Sequence, residues 1–226
     1  MCFSAEASFG LSVALLSAGA YCVKSALVKN RLFLPVAFIP LFFAAQQFSE
    51  GWVWVGLGRD NITLVRIASL VFLAFAIIFW PFWVPLCSFV TAATNQRKFF
   101  GFLSLLGLVA GLGVYVPLLM NVDSPVAEVT NHSINYNVSK SMVFQFVPKW
   151  IWNLLYIVII ASPLFASNDT KILYLGIAIV LSAAVSYIVF WFAFASVWCF
   201  FAALLSLYLC IVFRNLPALT FKQQTS

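Results

Sequence analysis

The sequence predicts an all-α integral membrane protein of seven transmembrane helices, and three observations carry that expectation. Hydrophobic residues make up 64% of the chain and charged residues only 8%, against about 25% charged in a soluble domain. Mean hydropathy is +1.06. Apolar stretches close to the roughly 20 residues that cross a bilayer recur along the whole length. They run at about 8–27, 33–57, 63–90, 99–120, 150–167, 171–190 and 193–213, so residues 1–226 read as a single transmembrane domain.

The first five stretches are separated by polar or charged residues. The last two are not. Residues 171–213 would extend about 64 Å as one helix, so a division into two spans is expected near 191–195. Prolines punctuate several spans, and Pro81 and Pro85 are expected to kink the third. Gly107 and Gly111 place a GxxxG in the fourth, read as a close contact with a neighbouring helix of the same chain. The longest connection, an outer loop at 121–149, carries β-favouring residues around Asn131-His132 and reads as a short hairpin or lid. Four Asn-x-Ser/Thr triplets, starting at Asn61, Asn131, Asn137 and Asn168, are treated as coincidence. No internal repeat of the kind that builds transporters holds across neighbouring spans.

Loop charge sets the expected orientation. Lys24, Lys29, Arg31, Arg97, Lys98, Lys171, Arg214 and Lys222 fall on one side; Arg59, Arg66, Lys140 and Lys149 fall on the other. The more basic side is cytoplasmic, which puts the N-terminus and the 121–149 loop outside. The net charge of +6 therefore reads as topology. No basic run exceeds the pair Arg97-Lys98, so no nucleic-acid partner is expected. No cleavable signal peptide and no lipoprotein anchor are expected at the N-terminus.

Glu50 is the most informative residue. It is the only charged side chain between Leu32 and Gly58, and an acid in an apolar span marks a functional position by default. Gln46 and Gln47 lie four and three residues before it, on the same helix face. If the topology holds, Cys2, Ser4, Glu6, Gln46, Gln47, Glu50, Trp198 and Cys199 meet in one outward-facing pocket. Two readings of Glu50 stay open: a binding or proton-handling carboxylate, or an interfacial acid bonded to a neighbouring helix or to Arg66. Gln46 and Gln47 read first as interhelical hydrogen-bonding groups.

The five cysteines show no CxxC pair and no regular framework. Cys2, freed by loss of Met1, would offer a thiol and an amine to a metal or act as a nucleophile; otherwise it packs as a small residue. With Cys199 it forms the one candidate metal pair, or a candidate disulfide. His132 is the sole histidine and cannot build a three-histidine zinc site; it reads as a solvated loop residue. The seventh span has no lysine for a retinal Schiff base, and no hydrolase, P-loop or metalloprotease motif is present. Trp52, Trp54, Trp150 and Trp152 read as an interfacial belt.

Met-Cys-Phe-Ser-Ala at 1–5, Gln-Gln-Phe-Ser-Glu-Gly-Trp-Val-Trp at 46–54 and Trp-Cys-Phe-Phe-Ala-Ala at 198–203 resemble an uncharacterised family of bacterial multi-pass membrane proteins. The resemblance covers most of the chain. It implies a bacterial inner-membrane location and carries over no activity and no cofactor.

The expected function is non-enzymatic: binding, sensing or moving a small or lipidic ligand through the pocket. Its partners are then the bilayer and that ligand. A membrane-embedded enzyme using Cys2, with Glu50 or Glu6 as acid or base, is one rival. An accessory subunit bound to membrane-complex partners is the other.

Overall fold

The computed structural model describes residues 4–92, 94–120, 126–136, 138, 148–167 and 169–216. Helix α1 (Ala5–Lys29) is started by Ser4, whose hydroxyl accepts from Ala7 N at 3.3 Å, and it ends with Lys29 at its negative pole. Helix α2 (Arg31–Gly58) begins in pieces, a 3₁₀ turn and the short Leu34–Ala37 segment before the continuous Ile39–Gly58. The two prolines there, Pro35 and Pro40, each sit in the first turn of their segment, where a missing N–H costs nothing. Asp60, at φ 51°, turns the chain, and Asn61 caps the next helix by accepting from Leu64 N at 3.0 Å.

Helix α3 (Ile62–Thr91) carries the predicted kink in a specific form. Residues Ala74–Phe79 widen into a π turn, closed by Trp80 N bonding to Phe75 O. Pro81 follows at once and has no N–H for the carbonyls one turn back. Two neighbours attend to those carbonyls. Tyr156 donates its hydroxyl to Ala76 O at 2.6 Å, and Gly111 lies over Ile77 O. One turn later Pro85 leaves Pro81 O without its helical donor, and Gly107 lies over that oxygen. The GxxxG of α4 (Thr94–Met120) thus runs antiparallel to the proline pair of α3 at matching four-residue spacing. Cα–H groups can meet the freed oxygens at this range. The contact is within the chain, as the sequence suggested.

The expected hairpin is β1 (Ala127–Thr130) paired antiparallel with β2 (Ser133–Tyr136). Asn131 and His132, both at positive φ (48° and 59°), form the two-residue turn; left-handed central residues suit the twist of a hairpin. His132 is exposed there. The β-rich stretch 141–147 lies outside the described residues. Helix α5 (Lys149–Phe165), at 17 residues, would span only about 26 Å, short of the roughly 30 Å of hydrocarbon. Helix α6 (Thr170–Val189) is capped by Asp169 and ends at Phe190, where the expected division falls. Helix α7 (Trp191–Arg214) begins with a 3₁₀ turn and loosens near Leu207.

Six of these helices, all but α5, are long and apolar enough to cross a membrane. α2 and α3 touch along their length, α7 packs on α1, α2 and α6, and α5 packs on α3, α4 and α6. The hairpin lies across the bundle end where α2 finishes and α3 and α7 begin; β1 touches α2 and α3, and β2 touches α7. The belt expectation needs revision at two positions. Trp150 is exposed, but Trp54 packs against the core and Trp152 turns into a cavity.

Candidate functional site

The polar stripe of α2 points into the protein. Gln46 and Gln47 are fully buried and Glu50 is 2% exposed, which rules out a carboxylate lying among lipid headgroups. The burial is made tolerable by partners from other helices. Glu50 Oε1 accepts from Ser196 Oγ on α7 at 2.5 Å, and Oε2 accepts from Gln47 Nε2 at 3.2 Å. Gln46 Oε1 accepts from Trp80 Nε1 on α3 at 2.7 Å. Ser12 on α1 donates to Ala44 O at 2.8 Å. One face of α2 is therefore tied to α1, α3 and α7 by separate hydrogen bonds. Arg66 takes no part in that set: it donates to Leu119 O at 3.3 Å.

The network is not saturated. A carboxylate offers about four acceptor positions and two are used here. Gln47 Oε1 is buried with no hydrogen-bond partner, and Gln46 Nε2 has only the neighbouring Cys199 thiol to meet. In native proteins such groups are few and each calls for a reason.

A cavity of about 740 Å³ lies at the hairpin end, next to this cluster. The hairpin supplies Glu128, Asn135 and Tyr136; α5 supplies Trp152 and Tyr156; the start of α7 supplies Trp191 through Cys199. Its inner wall is the π turn of α3, at Ala76 and Ile77. Two side chains connect cavity and cluster. Cys199 lines the cavity one turn below Ser196, the Glu50 donor. Tyr136 lines it from above, stacked on Phe72 at 4.6 Å, and its buried hydroxyl has no partner. Burial holds the Tyr136 phenol well above its usual range, and the nearby Glu50 carboxylate and Cys199 add to that.

A second, apolar cleft of about 80 Å³ continues from the first and shares Tyr156, Trp198 and Cys199 with it. Tyr156 and Trp198 meet edge to face at 5.4 Å on this shared boundary.

The residues singled out in the sequence separate into three groups. Gln46, Gln47 and Glu50 form the buried cluster and do not line the cavity. Trp198 and Cys199 line the cavity. Ser4 caps α1 and Glu6 is exposed, so both stay out of the buried cluster. Cys2, with its proposed metal or disulfide partnership with Cys199, lies outside the described residues. Among the described residues no three of His, Cys, Asp and Glu converge in the manner of a metal site. Cys22 and Cys210 face each other at 3.9 Å between α1 and α7, apart from the cavity.

The family model that matches residues 1–223 describes a family of unknown function, DUF6629. The chain belongs to that family. No curated protein and no solved structure matches the chain.

Sequence reasoning missed Ser196, Trp80, Tyr136 and Tyr156. One signal was available. Ser196 is the only hydroxyl side chain in the run Phe190–Phe201, and a lone hydroxyl in an apolar span needs a partner as much as a lone acid does. The tyrosines gave no such signal, because in an aromatic-rich chain each passes for a membrane-interface residue.

Proposed function

We propose that this protein binds a small or lipidic ligand in the cavity beneath the hairpin and serves in sensing it or moving it across a bilayer. The cavity itself is the observation that carries the reading. About 740 Å³ falls in the range of ligand sites, which are concave, mostly apolar and furnished with a few placed polar groups. The Glu50 cluster lies behind the cavity wall and anchors α7 through Ser196. A ligand that shifts Trp198 or Cys199 would load the same helix. Glu50 and Gln47 are thus positioned to report or restrain occupancy, and Gln46 to fix α2 against α3.

In this reading the chain crosses the membrane seven times, with α5 as the short crossing, in a bacterial inner membrane. The uneven loop charge supports an N-terminus, hairpin and cavity mouth on the outer face.

The test is to fill the cavity from a wall that has room. Ala195 lines it and is only part-buried. Ala195→Phe should abolish retention of a co-purifying molecule, followed by mass spectrometry of gently solubilised protein. A folded Ala195→Phe protein that keeps both the bound molecule and every phenotype would remove the basis of the proposal.

A further inference from the structure

The geometry points to an organic cation bearing an apolar tail as the ligand class, an inference that rests on the cavity being a binding site. Six Trp and Tyr side chains line that cavity: Tyr136, Trp152, Tyr156, Tyr187, Trp191 and Trp198. Aromatic faces carry negative potential and attract ammonium groups, most strongly where water is excluded, as at Tyr136 and Trp198; Tyr187 and Trp191 are exposed at the rim. Glu128 is the one ionised side chain among the described lining residues, and no lysine or arginine joins it there. In a chain with twelve Lys and Arg against six Asp and Glu, an acid-only lining runs against the average. Among the described lining residues an anionic ligand would meet no cationic side chain, only the start of α7, whereas a cation meets rings and a carboxylate.

The apolar cleft supplies the second half of the ligand. Beyond the Tyr156–Trp198 pair its walls are mostly hydrocarbon or aromatic, Phe43, Val84, Ile160, Leu175, Ile179 and Leu209 among them, with Ser206 the one hydroxyl. A head held among the rings can therefore send a short alkyl chain past Trp198 into the bundle. Glu128 is exposed at the rim and accepts from Asn135 Nδ2 at 3.1 Å, an acceptor role that glutamine can keep.

The full chain, purified in neutral maltoside micelles, is titrated with octyltrimethylammonium, octyl sulfate and tetramethylammonium while tryptophan fluorescence or calorimetry reads binding. Saturable binding is expected for octyltrimethylammonium, with tetramethylammonium and octyl sulfate each at least about tenfold weaker. Glu128→Gln should weaken the octyl cation about fivefold, the size of one solvated charge contact. Trp198→Ala should weaken it about tenfold, and Glu128→Gln carries the test alone if that variant does not fold. Equal binding of the sulfate and the ammonium, or an unchanged cation affinity in Glu128→Gln, overturns the cation assignment. In that event binding of either probe that Ala195→Phe abolishes leaves the cavity reading standing. No saturable binding of any of the three probes overturns both.

Discussion

The contact between α3 and α4 and the contact between α5 and α7 are built on opposite rules. In the first, Gly107 and Gly111 lie directly over backbone oxygens of α3, and Ser104 bonds across to Phe82 O. In the second, Tyr156 and Trp198 hold the helices apart with rings, and space remains on both sides of them. Helix α1 also meets α2 at small residues, where Gly51 makes room for the Phe9 ring and Ser12 bonds across to Ala44 O. Glycine and serine close one part of the bundle; large aromatics leave the other part open. In lipid, where apolar burial between helices gains little over contact with acyl chains, close packing and hydrogen bonds decide which helices stay together. The closed part therefore acts as scaffold, and the open part is free to accommodate a guest.

The sharpest way to break this contrast is to add bulk to the closed part. Gly107→Leu would drive a side chain into the Pro81 carbonyl, which belongs to main chain and cannot rotate away. A loss of about 3 kcal/mol is expected, at the upper end for overpacking, measured by denaturant titration in mixed micelles. Removing the network that joins the two parts comes next. Glu50→Ala leaves the Ser196 and Gln47 donors buried and unpaired, an expected loss of about 2 kcal/mol, whereas Glu50→Gln should lose no more than about 1 kcal/mol. If alanine and glutamine cost the same, the carboxylate is not holding α7.

Tyr156→Phe tests the boundary itself. It removes the donor to Ala76 O in the π turn and keeps the ring, so about 1 kcal/mol is expected, with little change in ligand retention. The smallest effect should come from the open part. Ala195→Phe adds a ring where a cavity already exists, and its cost in thermal unfolding should stay within about 0.5 kcal/mol, although it removes the ligand. A large loss of stability at 195 would mean that the cavity is not usable space, and the distinction between the two parts would fall.

How much of this could be read beforehand varies with the kind of signal. The hairpin turn was legible because Asn131 tolerates left-handed backbone better than most residues and the flanking positions favour strand. The close approach at Gly107 and Gly111 was legible as a small-residue pattern, but its partner was not. Nothing in the spacing of glycines says which carbonyls they will meet; the proline pair on α3 supplies that answer only once the helices are side by side. The short fifth helix was hidden by the apolar run continuing past Phe165 to Ser167.

Glu50 marks the division most clearly. That it needed partners or an interface followed from charge alone, since a carboxylate in an apolar span has to find partners or leave the hydrocarbon. Which partners it found did not follow. Helices of this composition are apolar on every side, so periodicity does not separate the face that meets lipid from the face that meets protein. The apolar helical class, approximate helix limits and the presence of a lone acid among them were thus properties of the chain as written. The pairing of Glu50 with Ser196, the separation of that pair from the cavity, and the cavity's aromatic wall arose only when similar apolar helices chose their neighbours by fit.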